Sequence, residues 1–342
     1  MRTWVVVVTY CVLGALVPIG AMAQIKVVTK NQQGYLDGLP RIAGASLLFG
    51  TPPFYLYVTN AHEDILLQHD DIWIQWILHK QDQPKPKYDE RVYPSISRDG
   101  NTIAFARVKS SEHGRIVAIS TYSEATYKHA DYAEGEYAGP EAISPDASRL
   151  AYSTAQQRES RPSDNHLHIV DLKTGHQILG PEVPQYWKGF ASWSPDSRRL
   201  AYSVEGQVRV WDSDTGTVSK IAEGDFPAWS PSGEWIAYLQ GIWDPTILQS
   251  GFISGKRINR CLLVHPDGTG GKTLIRLPST REHMRVFDGP LVWSPDSKTI
   301  LLNELDDLEV GTVNIHSLDL KTLKLRTVFK HTHHILGWAE AN

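Results

Sequence analysis

Cysteine is scarce: two residues in 342, one of them Cys11 inside an apolar N-terminal run. A disulfide framework is excluded, so the fold must stand on its own hydrophobic core. At 41% hydrophobic and 21% charged residues, the material for one is ample. Basic tracts are also missing and the formal charge is −4, which removes nucleic acid as an expected partner. No G-x-S-x-G is present, so an α/β-hydrolase nucleophile turn and a prolyl-peptidase mechanism are not expected. HPDGTGGKT (265–273) imitates a phosphate-binding loop, but Pro266 stands where that pattern needs Gly, and a strand-to-strand turn is the reading. HEDIL (62–66) starts like a zinc-protease helix and has Leu66 where the second His belongs.

The N-terminus shows a short basic start (Arg2), an apolar run from Trp4 to Val17, a break at Pro18 and Gly20, and Ala21-Met22-Ala23 before Gln24. That is the layout of a secretory signal over residues 1–23, cut after Ala23; an uncleaved anchor is the other reading. Val8-Thr9-Tyr10 before Cys11 lack the small residues of a lipid-attachment box. Cleavage leaves Cys261 alone and, by removing Arg2, a charge of −5. A periplasmic or secreted, soluble, monomeric product is expected, with residues 24–342 forming one domain large enough to need no staples.

What the sequence has in abundance is one phrase. ASWSPDSRRLAY (191–202) recurs as YPSISRDGNTIAF (93–105), PEAISPDASRLAY (140–152), PAWSPSGEWIAY (227–238) and LVWSPDSKTILL (291–302). The shared serines, Ser97, Ser144, Ser194, Ser230 and Ser294, are 47, 50, 36 and 64 residues apart, periods that mark arrays or propellers. Pro presets φ at the second turn position and Asp and Gly suit the next ones, so S-P-D-S is a type I-like turn between antiparallel strands. Further alternating runs follow, such as QVRVWD (207–212) and TVSKIA (217–222) around SDTG, and HLHIVD (166–171) and HQILG around LKTG. Four short strands per unit describe a propeller blade.

The W-S-P-D phrase and its following I-A-Y or L-A-Y resemble the repeat of the TolB-like family, also called WD40-like or PD40, over residues 90–340. The resemblance implies an all-β propeller. It leaves function open, since similar repeats occur in periplasmic scaffold proteins and in propellers attached to peptidases and lyases. The family's founding member has an α/β domain ahead of its propeller. Residues 24–92 here read as strands instead (FYLYVTN, DIWIQWILHK), which argues against a Tol-system role.

HILGWAEAN (334–342) puts Trp338 in register with Trp193, Trp229 and Trp293. An isolated first strand must complete a blade, and its partners are expected from residues 25–92, closing a six-bladed ring. ASLLFGTPPFYLYVTN (45–60) could instead be a degenerate first hairpin of a seventh blade.

Propeller topology sorts the loops into two faces. The S-P-D-S, SDTG and LKTG turns share one, and they are short and uniform. The other receives QQRESRPSDN (156–165), GIWDPTILQSGFISGK (241–256), DDLEVG (306–311) and the links between blades. Variable loops on a rigid frame are where recognition resides, so ligand or partner binding is expected at that channel mouth. Residues preceding the first strands converge there: Arg91, Glu134, Glu136, Lys188, Asp225, Asp288, His331 and His333. Tyr186, Trp187 and Trp243 could stack on a sugar or anchor a protein. His331 and His333 alternate, so they project together from a strand and could bind a divalent ion such as Zn, Mn or Ni; the bland reading is a solvated strand end. The repeat's own Ser, Asp, Tyr and Trp are expected to be structural.

These features point to an exported binding or scaffold module, without catalysis, for a cell-envelope protein or a saccharide. The alternative is a carbohydrate-active, lyase-like enzyme with a His-held metal, as the resemblance to lyase propellers implies.

Overall fold

A computed structural model describes residues 45–51, 55–59, 65–69, 95–99, 102–111, 114–123, 126–128, 137–155, 166–184, 190–243, 256–278, 285–307, 312–332 and 334–340. Six four-stranded antiparallel sheets account for the strands, and no helix occurs among the described residues. Blade 1 joins segments far apart in sequence: Ala45–Thr51 (β1), Tyr55–Thr59 (β2) and Ile65–His69 (β3) follow His334–Glu340 (β24) in the order β24-β1-β2-β3. Blade 2 holds Ser95–Ile96 (β4), Thr102–Ser111 (β5), Gly114–Ser123 (β6) and Thr126–Lys128 (β7). Blade 3 holds Tyr137–Ile143 (β8), Arg149–Ala155 (β9), His166–Asp171 (β10) and Gln177–Glu182 (β11). Blade 4 holds Ala191–Trp193 (β12), Arg199–Val204 (β13), Gln207–Asp212 (β14) and Val218–Glu223 (β15). Blade 5 holds Asp225–Trp229 (β16), Ile236–Trp243 (β17), Lys256–Val264 (β18) and Lys272–Arg276 (β19). Blade 6 holds Val292–Trp293 (β20), Thr299–Asp307 (β21), Thr312–Asp319 (β22) and Leu325–Thr332 (β23).

First strands neighbour one another in a cycle, β24 to β4, β8, β12, β16, β20 and back to β24. The hairpin over 45–60 does form, but its partner is β24, with Leu47 opposite Trp338, so it completes the sixth sheet rather than seeding a seventh.

The repeat phrase explains itself in the turn. Ser144, Ser194, Ser230 and Ser294 are fully buried. Each accepts at Oγ from the backbone N–H five residues on (2.9–3.0 Å), and Ser144, Ser194 and Ser294 donate to the Asp two residues on. The fourth turn residue donates back to the Ser carbonyl at 2.9 Å and lies in the left-handed region: Ala147 (φ 56), Ser197 (φ 59), Gly233 (φ 79) and Ser297 (φ 59). A buried hydroxyl is thereby satisfied as both donor and acceptor, which is why Ser recurs. HPDGTGGKT joins β18 to β19, the strand-to-strand turn expected of it.

Six residues past each Ser, the second strand buries Leu150, Leu200, Ile236 and Ile300 completely. These side chains feed clusters that span neighbouring blades, for example Leu167 and Ile169 of blade 3 with Trp193 and Leu200 of blade 4. Each such aliphatic residue contributes roughly 2 kcal/mol of burial.

Candidate functional site

The first strands enclose a central cavity of about 210 Å³. Pro145, Pro195 and Pro231 from the repeat turns crowd one end, together with Arg98, where blade 2 departs from the S-P-D pattern. Phe190, Pro290 and Leu336 lie toward the other end.

Polar groups along this wall are taken up by the seams between blades. Ser95 of blade 2 accepts at Oγ from the Ile143 N–H of blade 3 (2.9 Å), and Ser192 of blade 4 accepts from the Trp229 N–H of blade 5 (2.9 Å). In the alternate seams the matching residue is Ala, and an indole supplies the bond. Trp193 Nε1 donates to the Ala142 carbonyl at 2.8 Å, and Trp293 Nε1 to the Ala228 carbonyl at 2.9 Å. The expectation that these Ser and Trp residues are structural is met by named partners.

The closing seam is built differently. Asn303 on β21 donates from Nδ2 to the Pro290 and Ile335 carbonyls (3.0 and 3.1 Å) and accepts from the Ile335 N–H at 2.8 Å. Beside it, His334 Nε2 meets Asp288 Oδ2 at 3.1 Å, with both residues buried. Gly289 (φ 80) makes room, since a Cβ there would sit 3.1 Å from the His334 ring. Trp338 Nε1 is buried and has no hydrogen-bond partner among the described residues, unlike the indoles of Trp193 and Trp293.

Next to this seam lies a cluster built around Glu304. Arg285 forks onto Glu304 (Nε–Oε1 2.5 Å, Nη2–Oε2 2.6 Å), His316 Nε2 lies 2.5 Å from Oε2, and Thr327 Oγ1 lies 3.1 Å from His316 Nδ1. The link carrying Arg285 is itself stitched to both neighbours: Phe287 N donates to the Ile258 carbonyl of blade 5, and Leu305 N of blade 6 donates to the Val286 carbonyl. Burial alone would raise the Glu304 pKa, but hydrogen bonds from Arg285 and His316 outweigh it and hold the carboxyl down at about 2. Glu304 is thus an ionised tie between a link and strands β21 and β22, with both oxygens occupied.

Of the residues expected at the mouth, Asp225 and Asp288 are placed. Asp225 opens β16 after a one-residue link, Gly224, where a Cβ would fall 2.5 Å from the Leu239 carbonyl oxygen. Phe226 follows in the left-handed region (φ 55), its ring 4.9 Å from that of Phe190. Asp288 faces inward to His334. Trp243 ends β17 opposite Lys256, in a second-to-third strand hairpin rather than a link. His331 lies in β23, and its side chain is outside the described residues, as are Arg91, Glu134, Glu136, Tyr186, Trp187, Lys188, His333 and segment 1–23. Among the described residues no group of three or more His, Cys, Asp or Glu is arranged to hold a metal. Cys261 is fully buried, which pushes its thiol pKa up and leaves it unreactive.

Sequence reasoning missed Arg285, Asn303, Glu304, His316 and His334 as a group. One signal was legible: Glu304 occupies the repeat position that is buried Val204 in blade 4.

The second-to-third strand hairpins differ in reach. β13 and β14 meet through Glu205 and Gly206 alone, whereas the ladder of β5 and β6 pairs ten residues a side and that of β17 and β18 runs out to Trp243 and Lys256.

No protein-family model matches the chain, and no curated protein matches it at a significant level. Solved structures do resemble it. TolB from Acinetobacter baumannii aligns with a TM-score of 0.56 at 13% identity, covering 90% of this chain and 69% of that one. A putative TolB from Agrobacterium tumefaciens gives 0.51 at 16%, covering 86% and 92%. A chain of a nidogen/laminin complex gives 0.52 at 11%, covering 87% and 99%. At such identities the likeness is one of fold, and the chain is a β-propeller with TolB among its structural neighbours.

Proposed function

We propose that this β-propeller is an exported binding module that holds a cell-envelope protein on the face carrying its second-to-third strand hairpins. The observation that carries the reading is the contrast in loops: repeat turns of one build on one face, and on the other hairpins ranging from a two-residue turn to the long β17–β18 ladder. Uniform turns satisfy only themselves, while unequal hairpins give a rim whose shape is specific. The resemblance of the N-terminus to a cleaved secretory signal supports export, with maturation near Ala23. That one fold neighbour comes from a protein complex agrees with a protein partner.

The test is to shorten the β17–β18 hairpin at the Gly241–Ile258 pair, joining the strands through a two-residue Asn-Gly turn. Cross-linking in a periplasmic extract should yield a partner adduct with the parent chain, lose it with the shortened hairpin, and keep it with Lys298→Glu on the repeat-turn face. An adduct indifferent to the hairpin, or abolished by Lys298→Glu, counts against the assigned face.

A further inference from the structure

The fourth strand of every blade is the outer edge of its sheet, where unpaired backbone groups invite another strand. Three of the described edges are guarded by exposed charge: Lys220 and Glu223 on β15, Lys272 and Arg276 on β19, Arg326 and Lys330 on β23. On β11 of blade 3, Gln177, Ile178 and Leu179 are exposed in succession with no charge among them, Ile178 at 41% and Leu179 at 57%. The repeat makes the departure measurable. Counting three and four residues past the preceding turn position (Gly175, Gly216, Leu323), blade 3 has Ile178 and Leu179, blade 4 has Ser219 and Lys220, and blade 6 has Arg326 and Thr327. Of the four exposed large hydrophobic side chains among the described residues, two are these neighbours.

We propose that the β11 edge is a self-association surface, on which a second copy of this chain pairs antiparallel through the same strand. The distribution of charge selects that occupant. β11 is basic before its start, with Lys173 and His176 exposed, and acidic at its end, with Glu182 exposed. A dyad near Ile178 sets Glu182 of one copy toward the Lys173 and His176 end of the other, twice over, and stacks the apolar pairs between them; a parallel arrangement would set like charges together. Gly180 and Pro181 form the bulged half of the strand, between Leu179 opposite His168 and Glu182 opposite His166, and Pro181 has no N–H to leave unpaired. The open ladder is therefore short, and its footprint is that of a weak, concentration-dependent dimer. It lies on the outer rim, away from the hairpin face, so both contacts can be made at once.

Sedimentation equilibrium of the mature chain tests it, with molar mass rising from one protomer toward two by roughly 100 μM. The variant Ile178→Ser with Leu179→Lys copies the residues blade 4 already carries at these positions, so it preserves the fold, and it should stay monomeric with an unchanged melting temperature. Glu182→Lys should weaken the dimer about tenfold, and mixing it with Lys173→Glu should restore association between the two variants. A parent chain monomeric across the range overturns the proposal. So does a dimer that persists in the Ser/Lys variant, which would assign association to another face. Mass is read without any envelope partner, so the outcome is independent of the hairpin-face reading.

Discussion

Blades 4 and 6 are built on the same phrase and differ in what they do with it. Blade 4 follows the repeat: Val204 is buried, Gly216 takes the left-handed turn position, and two residues join its middle strands. Blade 6 keeps the Ser294 turn but puts Glu304 where Val204 stands and Leu323 where Gly216 stands. The difference teaches that a propeller needs only its turn serines and its deep aliphatic row to close a blade. Everything else is open to reassignment, and blade 6 spends that freedom on locking the ring.

The largest expected effect breaks the comparison at its core position. Glu304→Leu removes the buried carboxylate and leaves the part-exposed Arg285 guanidinium and the buried His316 ring without their partner, a loss of about 1–3 kcal/mol by chemical denaturation. Replacing the group together (Arg285→Met, Glu304→Val, His316→Leu) makes blade 6 resemble blade 4 and should recover most of that loss. Because the folded Glu304 pKa lies near 2, below its ordinary 4.5, its contribution is complete above the ordinary range and lost as pH falls through it toward 2. Melting curves across that window should therefore fall less steeply in Glu304→Gln than in the parent.

The seams give a middle-sized test. Trp193→Phe deletes a buried indole bond to Ala142 and should cost about 1 kcal/mol more than Trp338→Phe, whose indole N–H has no partner to lose. Equal costs would mean that packing alone governs these positions. The smallest effect is a gain: Leu323→Gly relieves an exposed left-handed residue at the position where Gly175 and Gly216 stand, and should raise stability by roughly 0.5–1 kcal/mol.

The periodic part of this molecule was readable before any coordinates. The serine turns, the strand alternation around Leu200 and Tyr202, and the register of Trp338 all follow from local chemistry that repeats, and repetition exposes itself to alignment of the chain with itself. The site was less legible because its contacts join residues with no periodic relation: Arg285 with Glu304, Asp288 with His334, Asn303 with Ile335. The HTHH stretch drew attention to His331 and His333 by their alternation, while the described contact belongs to His334, the first residue of β24.

That pairing has a consequence in time. Blade 1 takes one strand from residues 334–340 and three from residues 45–69. As the polypeptide emerges from a ribosome or a translocation pore, five blades can assemble hairpin by hairpin from nearby segments, but the ring stays an open arc until residues 334–340 are delivered. Through that interval β1 offers a bare edge to any passing strand, and the nascent chain is at its most vulnerable to mispairing just before β24 arrives to cover it.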